Sequence, residues 1–230
     1  MTFNVSKYCE NTISSDILDI FKYNARIIIN GTSFSGKTKL CIDLILKYSQ
    51  KFDKIIIAES PNKNEFEDNL SSLKNKIEIY EHIPTISEID TKFSGHKLII
   101  LDDNYTKAFS SERVLHFYTR GRHVNISIII ICQNLFFANG KYARDISLNT
   151  THFILLKLRD LNQIEYLSRQ IFGKKEYIKV LDVYKFIQKK YKFGHLLLDI
   201  SHSSTIDTEL RSNIVNSGDT PFETCYKLIE

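Results

Sequence analysis

The chain of 230 residues predicts an α/β domain with a mostly parallel central sheet and helices on both faces. Three observations predict it. Short β-branched runs recur along the chain, amphipathic stretches separate them, and a glycine-rich turn joins the first run to the first helical stretch. The runs are Arg26–Asn30, Lys54–Ala58, Ile77–Tyr80, Lys97–Leu101, Ile126–Cys132, His152–Leu158 and His195–Ile200. Most are built on a continuous apolar stretch rather than on alternation, as strands covered on both faces must be.

The elements follow in order. Lys37–Gln50 sets Leu40, Leu44 and Ile45 on one helical face, and Tyr48 continues it. Ser110–Thr119 opens with Ser-Ser-Glu, a helix-start signature, and carries Val114, Leu115, Phe117 and Tyr118. Leu161–Phe172 and Tyr177–Lys190 read as two further helices, with Gly173 as the stop between them. Residues 1–25 read as an N-terminal arm and 26–201 as the domain. Residues 202–230 lose periodicity, and predict a loosely packed tail or a partner-contacting extension.

Composition narrows the class. Hydrophobic residues make up 43% and charged residues 25%, ordinary for a soluble domain. A net charge of +4 gives no global basic field, so any nucleic-acid contact must come from a local patch. Cys9, Cys41, Cys132 and Cys225 are scattered without a C-x-x-C pair, which fits reduced thiols and disfavours both zinc and a disulfide framework. The start of the chain lacks a secretory signature, and no apolar run approaches the length of a membrane span.

The glycine-rich turn carries the most chemistry. Ile27-Ile28-Ile29-Asn30 leads into Gly31-Thr32-Ser33-Phe34-Ser35-Gly36-Lys37-Thr38, the pattern G-x-x-x-x-G-K-[ST] between a strand and a helix. Gly31 and Gly36 let successive backbone N–H groups turn toward one anion, and the following helix presents its positive end to the same place. The spacing assigns Lys37 to the β- and γ-phosphates of ATP and Thr38 to Mg²⁺, with Lys39 completing the nucleotide-binding stretch. The fold thus narrows to a three-layer P-loop NTPase of the RecA/ASCE-like kind. A lysine on an ordinary glycine turn is the bland alternative.

A P-loop needs a carboxylate at the end of a neighbouring strand. Leu98-Ile99-Ile100-Leu101 ends in Asp102-Asp103, which predicts Asp102 as the second Mg²⁺ ligand and Asp103 as the residue that activates the attacking water. Asp103 capping a turn is the competing reading. The adjacent pair favours ATPases in which a further strand separates the P-loop strand from the acidic one. No N-K-x-D guanine motif occurs, which weakens a GTPase. Ile126–Cys132 ends in Gln133, an amide placed to touch the γ-phosphate or to do no more than end its strand.

With these motifs in place, the chain resembles the genome-packaging ATPases of large DNA viruses and virophages, within the FtsK/HerA superfamily. The residues that carry the resemblance are Gly31–Thr38, Leu98–Asp103, Asn149–Phe153 and above all Thr119–Gln133, a G-R-H followed by a strand that ends in C-Q. It covers roughly residues 22 to 175. Cellular relatives usually carry Glu where this chain has Asp103. The resemblance implies a ring motor, pentameric or hexameric, that pumps double-stranded DNA into a capsid through a capsid vertex protein, in host cytoplasm or in the virion. It also implies an arginine acting on a neighbour's nucleotide, for which Arg122, Arg120 and Arg144 are candidates, Arg122 first because it lies in the most family-like segment. The alternatives are a cellular or plasmid FtsK/HerA-type translocase and a small-molecule P-loop kinase.

Arg169–Lys192 holds eight basic residues against two acidic ones, interleaved with Tyr177, Tyr184 and Tyr191. Such a segment suits phosphate contact without base reading, and equally suits a solvated helix pair. Loops at 104–107 and 136–141 compete for the same role.

Overall fold

The computed structural model describes residues 8–14, 19–102, 105–136, 140–215 and 222–228. They divide into two compact units. One comprises Ile20–Ile29 and Lys37–Thr151; the other comprises the residues up to Asp19, Asn30–Gly36, and His152 onward.

The unit running from Lys37 to Thr151 is the parallel sheet with its helices. Its strands are β2 (Arg26–Asn30, up to Ile29), β3 (Lys54–Ala58), β4 (Ile77–Tyr80), β5 (Lys97–Asp102) and β6 (Ile126–Cys132), in the order β2-β6-β5-β3-β4. β3 pairs in parallel with β4 and β5, and β5 with β6. Every residue of β5 and β6 is buried, which accounts for the apolar stretches Leu98–Leu101 and Ile128–Cys132 within them. The helices are α1 (Lys37–Tyr48), α2 (Lys63–Asn69), α3 (Ile86–Lys92), α4 (Tyr105–Ser110), α5 (Glu112–Arg120) and α6 (Ala143–Asn149). α1 buries Leu40, Cys41, Ile42, Leu44, Ile45 and Tyr48. Thr85 caps α3 in a reciprocal box: its hydroxyl accepts from Glu88 N at 3.1 Å, and Glu88 Oε2 accepts from Thr85 N at 2.6 Å.

The other unit is antiparallel. Its strands are β1 (Tyr8–Ser14), β7 (His152–Leu155), β8 (Leu196–Asp199), β9 (Leu210–Ser212) and β10 (Phe222–Leu228), in the order β1-β10-β9-β8-β7. β8 pairs antiparallel with β7 and so falls outside the parallel part of the mostly parallel sheet that the sequence predicts. The cause lies in α7 (Asn162–Lys190), whose helical path breaks at Gly173 (φ 78°, ψ −179°). That conformation is open to glycine and essentially closed to other residues. Arg169 and Tyr177 meet across the break, with the guanidinium 4.2 Å from the ring centroid. Two helical segments joined by a sharp turn, rather than one crossover helix, connect β7 to β8.

The loose tail expected over 202–230 is corrected by β9 and β10. Cys225 and Tyr226 are buried, and Tyr8, Phe186 and Tyr226 pack edge-on with centroids 5.7–6.4 Å apart. Arg211 is buried between Asp199 and Glu223, and Asp199 also receives His152 Nε2 at 3.3 Å. Burial alone would raise the Asp199 carboxyl; the hydrogen bond and charge of His152 and the charge of Arg211 outweigh it and hold the group at about 2. The tail reading failed because an arginine looks like surface until its carboxylates, twelve residues away on either side, are known.

Candidate nucleotide site

The glycine-rich loop is held open by contacts that leave little room for side chains. Leu156 N donates to Asn30 O at 2.8 Å, and Thr32 N donates to Lys157 O at 2.9 Å, with Thr32 Oγ1 at 3.2 Å from the same oxygen. The strip Leu156–Leu158 is itself fixed by Tyr184, whose hydroxyl donates to Leu156 O at 2.8 Å and accepts from Leu158 N at 2.9 Å. Tyr184 is therefore a buried support for the loop rather than part of a basic surface.

A Cβ on Gly31 would lie 2.5 Å from Ser35 Oγ and 2.9 Å from Leu156 Cβ. Ser35 N closes a turn onto Thr32 O at 3.2 Å, and Ser35 Oγ is buried without a hydrogen-bond partner among the described residues. Gly36 has φ +92°, which glycine alone adopts without strain. Phe34 stands at φ 61° with its ring fully exposed, and Ser33 is exposed beside it. α1 begins at once with Lys37, 8% exposed; Thr38 is half-buried, and Lys39 points outward to Asp43 at 2.7 Å.

Within the parallel unit, β6 lies between β2 and β5, and Ile128 N donates to Ala25 O at 2.9 Å just ahead of β2. The additional strand expected between the P-loop strand and the acidic strand is present. Asp102 ends β5 at 1% exposure. Its Oδ2 accepts from Asn62 Nδ2 at 2.8 Å and from Ser60 Oγ at 3.2 Å. Burial pushes up the thiol of Cys41, one turn after Thr38, and the charge of Asp102 pushes it further. Neither Ser60 nor Asn62 was singled out from the sequence; the signal was their place at the end of the strand neighbouring β5. Asp103 lies outside the described residues.

These donors fit magnesium. The ion takes hard oxygen ligands and is held through one or two carboxylates together with substrate phosphates and water. Thr38 and Asp102 supply a hydroxyl and a carboxylate. Among the described residues no group of three His, Cys, Asp or Glu forms a metal site made of protein ligands alone.

Gln133 follows β6 directly and is half-buried at the carboxyl edge, where Asp102 pairs with Ile131 one strand over. The candidate arginines lie in two places. Arg120 and Arg122, both exposed, precede Ile126 at the amino edge, and Arg122 O accepts from Asn24 Nδ2 at 2.9 Å. A strand of seven residues puts them roughly 20 Å from Gln133. Arg144 is exposed at the start of α6, where Tyr142 N donates to Phe109 O at 2.9 Å in α4, the helix after β5.

In the basic segment, Arg169 pairs with Glu165, Lys179 with Glu176 and Lys190 with Glu10, while Lys174, Lys175, Lys185, Lys189 and Lys192 are exposed. The competing loops are described only in part, since residues 104 and 137–139 fall outside the described set. No helix among the described residues is long and apolar enough to cross a membrane.

A family model described as "Poxvirus A32 protein" matches residues 16–214. The DNA packaging protein OPG160 of monkeypox virus is 25% identical over 230 residues, covering 92% of this chain and 73% of its own. Its counterpart in vaccinia virus (strain Copenhagen) is 26% identical over 212 residues, covering 84% and 75%. Among solved structures, the genome packaging NTPase B204 of Sulfolobus turreted icosahedral virus 2, in complex with AMPPCP, aligns with a TM-score of 0.54 at 15% identity, over 79% of this chain and 95% of that one. Its complex with ATP-gammaS gives 0.53 at 13% identity, over 90% and 98%. At such identity the likeness is one of fold.

Proposed function

Because this chain belongs to the poxvirus A32 protein family, we propose that it is an ATP-hydrolysing motor that moves double-stranded DNA into a viral capsid. The observation that carries the reading is Asp102, a buried carboxylate ending β5 and held by Asn62 and Ser60, one strand away from the strand that feeds the glycine loop. The names of the relatives, a DNA packaging protein and a genome packaging NTPase, point the same way.

In this reading the backbone of Gly31–Gly36 receives the β-phosphate and Lys37 neutralises the β- and γ-phosphates. Thr38 and Asp102 hold magnesium, which when bound supplies charge stabilisation to the phosphates in flight. Fixing Asp102 through two donors leaves its carboxylate pre-oriented, so no side-chain entropy is lost when ligand arrives. Asp103 orients the attacking water, and Gln133 at the tip of β6 reads the presence of the γ-phosphate.

Subunits form a ring in which an arginine of one neutralises charge on the nucleotide of the next. Arg122, Arg120 and Arg144, all exposed, are the candidates for that arginine. The DNA, the capsid vertex protein and a site of action in host cytoplasm or virion complete the proposal.

The test is ATP turnover with and without double-stranded DNA. Stimulation by DNA supports the motor. Turnover that needs a small-molecule phosphate acceptor instead would make the chain a kinase.

A further inference from the structure

At the carboxyl edge of the parallel unit stands a second carboxylate, on the strand next to β5. Glu59 follows β3 directly. Ala58 pairs with Leu101, so Glu59 comes level with Asp102. Its backbone is left-handed, φ 49°, and is pinned by Glu59 N donating to Tyr80 O at 2.9 Å. The turn it makes sends the chain back so that Ser60 and Asn62 reach Asp102.

That geometry needs only a residue able to adopt positive φ. Glycine does so without cost and asparagine with little, whereas a glutamate is strained there. Strain of this kind in a functional edge points to a use for the side chain. The Glu59 side chain is 16% exposed, with Lys107 Nζ at 3.7 Å, so its carboxylate is largely withdrawn from bulk water.

We propose that Glu59 is a catalytic carboxylate of the hydrolytic centre, the proton acceptor for the water that attacks the γ-phosphate. The water oxygen forms a bond to phosphorus as the bond between phosphorus and the β,γ-bridging oxygen breaks. The bond electrons leave with ADP, and the water proton passes to the Glu59 carboxylate and from there to solvent. Asp103 orients the water and Glu59 takes its proton. The inference rests on the ATPase reading.

The test compares Glu59→Gln, Glu59→Asn, Glu59→Asp and Asp103→Asn in the full chain, measuring ATP affinity and single-turnover hydrolysis separately. Asparagine tolerates the left-handed backbone, so it removes the carboxylate while keeping the turn. The Gln and Asn variants are expected to bind ATP within threefold of wild type and to hydrolyse it at least about 100-fold more slowly. Glu59→Asp should recover part of the rate, with the acid limb of its pH–rate profile displaced, which a purely structural role would not produce. Turnover in Glu59→Gln and Glu59→Asn within threefold of wild type would overturn the assignment, and loss in Asp103→Asn alone would give the proton to that residue. A wild-type chain that does not bind ATP would instead overturn the ATPase reading, and this inference with it.

Discussion

Replacing Gly31 with alanine pushes a methyl group into space the loop has already filled. The new carbon would meet Ser35 Oγ at 2.5 Å and Leu156 Cβ at 2.9 Å. The serine hydroxyl can rotate away. Leu156 Cβ cannot, because Leu156 N is bonded to Asn30 O at 2.8 Å and its carbonyl to the Tyr184 hydroxyl at 2.8 Å. Restoring ordinary carbon–carbon contact at about 3.5 Å therefore moves the loop by roughly half an ångström or more. Overpacking of this size costs about 1–3 kcal/mol of stability. The same shift misaligns the N–H groups proposed to receive the β-phosphate. Losing one charge-assisted hydrogen bond, worth about 1.5–3 kcal/mol, weakens ATP binding on the order of 10- to 100-fold. Urea unfolding gives the first quantity and isothermal titration with ATP the second. Gly31→Ala with unchanged stability and ATP affinity within threefold of wild type would refute the argument that the loop is closed against Leu156.

Mixing Arg144→Ala subunits with Lys37→Ala subunits should restore part of an activity that each lacks alone, since intact halves meet at mixed boundaries; the same mixture with Arg122→Ala tests the amino-edge candidate, and no recovery with either would remove the trans arginine. Reversing Lys174 and Lys175, both exposed beside the kink in α7, should weaken DNA binding and lower the slope of log affinity against log salt by about one to two; an unchanged slope moves the contact elsewhere. His195 is buried and accepts from Ile214 N at 3.2 Å, and burial holds its imidazole down at about 4. The unfolded chain, titrating near 6.5, binds that proton first. Stability should therefore be full above about pH 6.5 and fall as pH drops toward 4, by up to about 1.4 kcal/mol per unit. His195→Gln should flatten that limb in urea titrations between pH 7 and 4.5.

The strands legible in the sequence are those whose environment leaves one solution. Ile126–Cys132 and Lys97–Leu101 are buried on both faces, and their apolar runs say so; Asp102 extends the second by one residue because its carboxylate has partners ready at the strand tip. The glycine loop was legible for a different reason, since its spacing is set by the anion it would hold. Tyr8–Ser14 was not, because an edge strand of mixed polarity has no periodic stripe, and its partner lies more than two hundred residues away. Gly173 was correctly seen as an interruption, but not that the two segments would return the chain to an antiparallel neighbour. Ser60, Asn62 and Glu59 were invisible for want of the strand order: only when β3 is known to flank β5 do they become part of the site.

The pairing of β1 with β10 has a consequence for how the chain is made. The antiparallel unit is assembled from three separate stretches, and its first strand finds its partner only in residues 222–228. The parallel unit draws only on residues 20–151, so all of its sequence has been synthesised while β8, β9 and β10 are still to come. On the ribosome it can settle first, whereas Tyr8–Ser14 must wait with an open edge until residues 222–228 have been made. A pause before β10 is made, or a truncation that removes it, would leave that edge exposed to other nascent chains. Yield of soluble protein should thus depend more on the last ten described residues than their small share of the core would suggest.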